Sequence, residues 1–338
     1  MVRMQSSPTK MAPRKPLIPV LPLIAASILC LILPAPAQSQ GTARDAMSIF
    51  PADTQQMVFL NMAQLRGMAE WPQIRTRVLT RQLRDFQDFM RSVGIDPEKD
   101  VDEVVLGWRG ENNTGMVGRA EGRFDPDHVR ALFKRQSLPV REYMGHELYA
   151  FGSGEDSTDV LFAFLSSSSA AFGLSHDLKD LIEVSEGSKP ALETNATFVG
   201  WEAELEGTAP QWGISTGKAA ASAAGPWLAA GGKLTSDPSA LFGNVRAYLY
   251  RIDWSGGVNT RVSIVCGNDE SATALSQLLS ILRDARTTSG SSPMPTGFAT
   301  ILQGLDVHSN GSRVELSTSA PLDVIDKVLR GATGEISQ

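Results

Sequence analysis

An internal repeat constrains the fold of this chain more than any other feature. A predicted strand that ends near a tryptophan, a turn, a second strand and a capped helix occur in the first part of the chain and again in the second. A shorter module of strand, turn, strand and helix follows each of them. The matching landmarks are two tryptophans and two pairs of helix caps, 146, 144 and 144 residues apart: Trp108 and Trp254, Asp125 and Asp269, Ser175 and Ser319. Displacements this even predict one structural unit that occurs twice.

Each half also begins with a predicted strand and helix. Residues 57–62 lead to a helix over 71–93, in which apolar side chains recur at helical spacing, and residues 212–216 lead into an Ala- and Gly-rich segment that reaches residue 232. Strand, helix, two strands, helix and strand is the order of a ferredoxin-like unit. The sequence therefore predicts an α+β fold of two tandem, duplicated ferredoxin-like units, with mainly antiparallel sheets and with helices packed on one face.

The length of the chain favours two domains. Of its 338 residues, 301 lie beyond residue 37, and a single hydrophobic core is near its upper size at about 300 residues. We predict a signal peptide over residues 1–37, a first α+β repeat over 38–190 and a second over 191–338.

The first 37 residues have the three regions of a secretory signal peptide. Four basic residues with no acidic one start the chain, an apolar run covers residues 17–33, and Ala35 and Ala37 provide the small side chains of a cleavage site. A membrane anchor is the alternative, but a span needs about 20 apolar residues, and four prolines interrupt or flank this shorter run. We expect cleavage after Ala37, a periplasmic or secreted protein, and no stable membrane span after cleavage.

The charge of the chain argues against a nucleic-acid partner. Its 31 Lys and Arg against 37 Asp and Glu give a formal net charge of −6, which falls to −10 when the leader is removed. Binding to nucleic acid needs clustered basic residues in a basic domain. Only Cys266 lies beyond the leader, which excludes an intramolecular disulfide, and its apolar neighbours predict a buried residue of a strand.

One pattern is similar to an enzyme motif. Residues 213–217, Gly-Ile-Ser-Thr-Gly, fit the nucleophile elbow of α/β-hydrolases, in which a sharp strand-to-helix turn presents the serine to a histidine. His308 lies downstream with five aspartates in between, so the order Ser, Asp, His is met. The elbow requires a mostly parallel sheet, whereas the surrounding hairpins predict an antiparallel one. A secreted serine hydrolase that uses Ser215 and His308 is therefore an alternative prediction.

No pattern of metal or cofactor ligands stands out. The four histidines are scattered, and none lies at i, i+4 from another or beside a cysteine. Acidic residues alternate over 96–102 as in a calcium loop, but Val101 stands where that loop needs glycine. Asp96-Pro97 and Asp125-Pro126 are instead typical of helix N-caps followed by proline. The segment around Lys218 lacks the spacing and the hydroxyl of a phosphate loop. We predict no catalytic, cofactor-binding or metal-binding residues and no cofactor.

Basic side chains form a row on one face of the first predicted helix: Arg77, Arg81, Arg84 and Arg91. Such a row can dock an acidic partner, or it can be a solvated face with Arg81 paired to Asp85 and Arg84 to Asp88. We favour the solvated face.

Several short segments carry a resemblance to a known group of proteins. They are residues 50–53 (Phe-Pro-Ala-Asp), 94–98 (Gly-Ile-Asp-Pro-Glu), 102–107 (Asp-Glu-Val-Val-Leu-Gly), 124–127 (Phe-Asp-Pro-Asp) and 145–149 (Gly-His-Glu-Leu-Tyr). In these segments the chain resembles uncharacterised exported proteins, a domain of unknown function, of Gram-negative soil bacteria. The resemblance implies export and a repeated α+β fold, and it transfers no catalytic residue.

Three functions from different classes follow. A non-enzymatic binding or scaffolding protein of the cell envelope comes first, because it requires only surfaces, and its partner is an unknown envelope protein or ligand. The serine hydrolase comes second. A carrier that binds a small ligand between the two halves comes third, because pockets favour domain interfaces.

Overall fold

The computed structural model describes residues 41–68, 71–72, 81–110, 115–154, 156, 159–217, 219–220, 244–254, 257–288, 297–325 and 327. Its strands are β1 (Thr54–Asn61), β2 (Val101–Arg109), β3 (Gly115–Gly122), β4 (Val140–Tyr143), β5 (His146–Phe151), β6 (Val160–Phe164), β7 (Ser169–Leu174), β8 (Gln211–Thr216), β9 (Val245–Asp253), β10 (Val258–Cys266), β11 (Asp306–Asn310) and β12 (Arg313–Ala320). Its helices are α1 (Thr42–Ile49), α2 (Met62–Arg66), α3 (Arg81–Ser92), α4 (Pro97–Asp100), α5 (Pro126–Gln136), α6 (Ser175–Ser185), α7 (Ala196–Leu205), α8 (Asp269–Thr288) and α9 (Phe298–Gln303), with a 3-10 turn at Leu192–Thr194.

The strands form one antiparallel sheet in the order β11-β12-β10-β9-β8-β1-β2-β3-β7-β6-β5-β4. The mixed α+β, antiparallel prediction is confirmed, but the chain does not build two separate ferredoxin-like sheets. β1 pairs with β2 on one side and with β8 on the other. In a ferredoxin-like unit, by contrast, the first and second strands are not neighbours, because another strand lies between them. Pairing of β1 with β8 removes the exposed edge that each half would otherwise carry, which explains the single sheet.

The two halves of the sheet share strand order and register. β2, β3 and β7 of the first half correspond to β9, β10 and β12 of the second, and β6 corresponds to β11. Leu106 faces Gly118 and Gly118 faces Phe172; shifted by 144 residues, these pairs become Tyr250 with Val262 and Val262 with Leu316. The same shift relates Trp108 to Ile252, so the predicted match of Trp108 with Trp254 is wrong by two residues.

Helices cover the sheet on both faces, contrary to the prediction of one. The middle of β1 is apolar on both sides of the sheet. Val58 and Leu60 lie on one side, called face 1, and Met57 and Phe59 lie on the other, called face 2. Both sides of such a strand must be buried. On face 1, α3 and α5 pack on the first half and α8 and α9 on the second; α1, α6 and α7 pack on face 2.

The core on face 2 continues across the predicted domain boundary. Met47 of α1, Leu192 and Phe198 of the second half and Trp212 of β8 belong to one buried cluster. Phe59 stacks on Trp212 with ring centroids 5.6 Å apart. The boundary at residue 190 stays a prediction, and the packing around it is continuous.

The predicted helix caps have mixed outcomes. Asp125 caps α5 by accepting a hydrogen bond from the His128 N–H at 2.9 Å, and Asp96 caps α4, each with proline following. Asn268 accepts from the Ser271 N–H at 2.8 Å at the start of α8. The two serine caps are wrong: Ser175 is the first residue of α6 without a side-chain cap, and Ser319 lies inside β12.

Two glycines inside strands make room for aromatic rings. A Cβ atom at Gly118 would lie 2.2 Å from the Phe172 ring, and one at Gly213 would lie 2.4 Å from the Tyr250 ring. Each ring therefore packs directly over the backbone of the neighbouring strand, which a larger residue would prevent.

Candidate functional site

The structure separates the two residues of the hydrolase alternative. Ser215 lies inside β8, between Gln56 and Tyr248, and is 3% exposed. His308 lies in the edge strand β11, four strand spacings away, which is about 19 Å at the usual spacing of strands. His308 lies near Asp306, with Nδ1 and Oδ2 3.4 Å apart. A hydrogen bond between Ser215 and His308 is therefore excluded in this conformation.

A buried ionic cluster lies where β2 ends against α6. Arg109 donates to Asp177 Oδ1 at 3.0 Å and to Asp180 Oδ2 at 2.7 Å, and its other nitrogens bind Asp53. The Met116 N–H donates to Asp177 Oδ2 at 3.0 Å, and Lys189 donates to Asp180 Oδ1 at 2.6 Å. The two α6 carboxylates are 8% and 7% exposed. All four of their oxygens are thus engaged.

His176 stands beside these two carboxylates, and the three side chains are the one group among the described residues close enough together to hold a metal ion. His176 is 77% exposed, and its Nδ1 lies 3.8 Å from Asp177 and 3.6 Å from Asp180. A cation here would have to displace Arg109 and Lys189 from oxygens that already accept hydrogen bonds. The donor set therefore fits a structural ion network better than a metal centre.

The charges of this cluster stabilise one another. Burial opposes the ionisation of Asp180, but hydrogen bonds from Lys189 and Arg109 outweigh burial and lower the pKa of Asp180 below its usual 3.8. Burial likewise works against the Arg109 guanidinium, while Asp53 and Asp180 raise its pKa above the usual value. Asp180 and Arg109 therefore favour their charged forms, and their hydrogen bonds tie β2 to α6.

The predicted row of arginines is only partly described. Arg77 and the side chain of Arg81 lie outside the described residues, as do the leader with Ala37, Lys218 and the Ala- and Gly-rich segment after residue 220. Arg91 binds Asp88 at 3.0 Å, Asp96 at 3.4 Å and Glu98 at 3.5 Å. Arg91 is thus surrounded by carboxylates, in keeping with the favoured solvated face.

Two further buried groups have no catalytic arrangement. Cys266 is buried in β10, as predicted, and burial raises the pKa of its thiol. Glu202 of α7 is 0% exposed; burial and the neighbouring Glu206 raise its pKa, and Arg44 lies 3.4 Å away. Its Oε1 has no hydrogen-bond partner.

Face 2 of the second half carries polar side chains that no described helix covers beyond α7. We call this surface the open face. Its residues come from alternate positions of four strands: Arg251, Asp253, Asn259, Arg261, Ser263, Asp306, His308, Asn310, Arg313, Glu315, Ser317 and Ser319. The same strands bury Tyr250, Val262 and Leu316 on face 1. Alternation of this kind is typical of a sheet with one solvated side.

Most charged groups of the open face have partners within it or at its border. Arg313 binds Glu204 of α7 at 2.5 and 2.9 Å, and Ser263 donates to Glu315 at 2.8 Å. Arg251 and Arg261 differ. They face each other in the β9–β10 register, and within the described part of the chain neither makes an ion pair or a side-chain hydrogen bond.

Sequence reasoning passed over the open face. In the two hairpin segments, Arg251 and Arg261 alternate with apolar residues, and this pattern indicates strands with one polar side. How much of face 2 stays uncovered depends on where α7 ends. The packing of α7 on the sheet is a tertiary contact that the strand pattern does not specify.

Comparison with known proteins gives likenesses of fold only. No protein-family model matches the sequence, and no curated protein matches it. Among solved structures, crystal form I of TP0453 matches with 10% identity and a TM-score of 0.48, over 85% of this chain and 97% of that chain. Crystal form III of TP0453 matches with 9% identity and a TM-score of 0.49, over 85% and 98%.

No helix within the described residues is both long enough and apolar enough to span a membrane.

Proposed function

We propose that this chain is an exported, non-enzymatic binding protein of the cell envelope that holds an anionic partner on its open face. One observation carries the proposal. Among the described residues, helices cover the first half of the sheet on both sides, whereas on face 2 of the second half only α7 packs, and Arg251 and Arg261 at its centre have no described ion-pair partner. Opposed like charges on neighbouring strands cost stability, so a fold alone gives no reason to keep them.

Charge complementarity selects the partner. Asp306 lies near His308 and Glu315 accepts from Ser263, so these carboxylates are engaged. Among the described arginines of the open face, Arg251 and Arg261 have no carboxylate partner and can bind an incoming group. Guanidinium groups bind carboxylates and phosphates through paired N–H donors, which favours an anionic partner.

Export and duplication belong to the same proposal. The cationic start, the apolar run and Ala35-Pro-Ala37 support a cleaved leader, and the 144-residue register shift supports an ancestral duplication of the strand module. Intact-mass analysis of the exported protein should place Gln38 at the N-terminus. Recovery of the full-length chain in the membrane fraction would contradict cleavage.

The partner site is tested by photo-cross-linking in the cells that produce the protein. A photoreactive phenylalanine analogue replaces Ser319, which is exposed on the open face, and the matched control replaces Gln277, which is exposed on α8 over face 1. We expect one cross-linked species from position 319 and none from position 277. The charge reversal Arg251→Glu should abolish that species. An equal yield at both positions, or a yield that Arg251→Glu leaves unchanged, would refute the open face as the site.

A further inference from the structure

The two unpaired arginines occupy a position that the first half of the molecule uses for packing. Shifted by 144 residues, Arg251 corresponds to Gly107 and Arg261 to Val117. A Cβ atom at Gly107 would lie 2.9 Å from the Phe50 ring and 3.0 Å from Val117, so this place in the first half is filled by Phe50 beneath α1. The second half has the same backbone register and a pair of cations instead.

The register places the side chains of Arg251 and Arg261 where both can contact the same anion. Register partners in an antiparallel pair have Cα atoms about 4.5–5.5 Å apart and side chains on the same side of the sheet. Arg261 is exposed and Arg251 is half-buried beside Trp212, its register partner in β8. Two guanidinium groups anchored side by side present several N–H donors to the same volume.

The surroundings add neutral donors and no competing ion pair. Ser317 of β12 is the register partner of Arg261, and Asn259 and Ser319 are paired one step along the same strands. Asp253 faces Asn259, Glu315 accepts from Ser263, and Asp306 faces Ser317; neither arginine pairs with any of these carboxylates. Ser317 lies beside Arg261 and two strands from Arg251, and its hydroxyl together with the two long guanidinium side chains is a donor set for an oxyanion.

We propose that Arg251, Arg261 and Ser317 form a binding site for a phosphate group, a refinement that rests on the proposed anionic partner. A carboxylate offers one edge of two oxygens, which a single guanidinium satisfies. A phosphate has oxygens on several sides and accepts from two guanidinium groups and a hydroxyl together. The pair of arginines therefore selects phosphate over carboxylate.

The test is calorimetric titration of the purified chain with inorganic phosphate, and with acetate at the same ionic strength. We expect binding of phosphate and at least tenfold weaker binding of acetate. The double variant Arg251→Gln/Arg261→Gln should bind phosphate about tenfold or more weakly, since each charged hydrogen bond contributes about 1.5–3 kcal/mol. The control Arg246→Gln removes an exposed arginine of the same strand from the opposite face and should bind like the wild type.

A second arm identifies the source of the phosphate. Co-sedimentation with anionic phosphatidylglycerol vesicles, with zwitterionic phosphatidylcholine vesicles as reference, measures binding to a phosphate group on a lipid surface. Binding of inorganic phosphate alone assigns the site to a soluble phosphate compound, and arginine-dependent binding of phosphatidylglycerol vesicles assigns it to a headgroup. Circular dichroism melting of each variant confirms folding.

The phosphate site is overturned if the wild type binds neither probe, if acetate binds equally well, or if the double variant and Arg246→Gln behave alike. Cross-linking at position 319 distinguishes this failure from failure of the proposed function. A cross-link that persists without phosphate binding leaves the open face as a partner site for another anion, and loss of both removes the proposed function as well.

Discussion

The two halves of the sheet follow one register and differ in what covers face 2. In the first half, α1 and α6 bury the alternate residues of β2, β3 and β7, and Val105, Val117 and Ala171 are all fully buried. In the second half, the residues at the corresponding positions are Leu249, Arg261 and Glu315, and only the leucine, beneath α7, is buried. The same backbone frame therefore serves as core in one half and as surface in the other.

The charged residues of the two halves are expected to contribute to different properties: those of the first half to stability and those of the open face to the proposed binding. Charges of the first half are enclosed in a network in which each carboxylate of α6 has cationic partners. Arg251 and Arg261, at the centre of the open face, have no ion-pair partner among the residues that the structure describes. Substitutions of charged residues should therefore lower stability in the first half and alter binding, with little loss of stability, in the second.

The largest effect is expected from Arg109→Leu. Removal of the guanidinium leaves Asp177 and Asp180 buried with one cationic partner fewer, and loss of one member of a buried ion pair costs about 3–5 kcal/mol. Urea unfolding of the variant should show a matching drop in the free energy of unfolding. The control Arg261→Gln should change it by no more than about 1 kcal/mol, the size of a cross-strand charge term.

The pH dependence of the same variant checks the mechanism. The folded-state pKa of Asp180 is lowered, so its contribution to stability is present above the usual 3.8 and is lost as the pH falls through the folded-state pKa. Arg109→Leu should therefore lose more stability at pH 7 than at pH 3. An equal loss at both pH values would point to packing alone.

A smaller loss is expected from Gly118→Ala in the first half. The new Cβ would lie 2.2 Å from the Phe172 ring, and overpacking of a core costs about 1–3 kcal/mol. Gly200→Ala is the matched control, because Gly200 is exposed in α7 with nothing near its Cβ position. That control should gain about 0.5–1 kcal/mol, as alanine does over glycine within a helix. Thermal melts of both variants measure the difference, and equal shifts would contradict the close packing of Phe172.

Glu202→Gln should act in a pH-dependent way at the border between the two halves. Burial and Glu206 raise the pKa of Glu202, so its stabilising contribution is complete below the usual 4.5 and is lost as the pH rises through the folded-state pKa. Arg44 of α1 is the cation that faces it. The variant should melt above the wild type at pH 8 and no higher than the wild type at pH 4. A constant difference across this range would exclude titration of Glu202 as its cause.

Sequence patterns predicted what is local and missed what is tertiary. The antiparallel hairpins, the caps Asp96 and Asp125 and the burial of Cys266 depend on neighbouring residues, and the structure confirms them. The pairing of β1 with β8 joins residues more than 150 positions apart, and no local pattern specifies such a partner. The continuous apolar run in β1 indicates that both faces of the sheet are covered, whereas a ferredoxin-like unit has helices on one face only.

The smallest effect, and the sharpest comparison, comes from Arg261→Val, which gives the open face the valine that the first half has at Val117. The change removes one of two like charges that face each other across β9 and β10, and such cross-strand terms amount to about 0.2–1 kcal/mol. Valine also favours strands, so both terms act in the same direction. Arg246→Val on the opposite face of β9 gains the strand preference without removing an opposed pair, and subtracting its effect isolates the charge term. Urea unfolding should therefore find Arg261→Val more stable than the wild type, and by more than Arg246→Val. A residue that weakens the fold and is nevertheless present at the centre of the open face is what the proposed binding site requires. If Arg261→Val were less stable than the wild type, Arg261 would have a structural role, and the contrast between a packed first half and a binding second half would fail at this position.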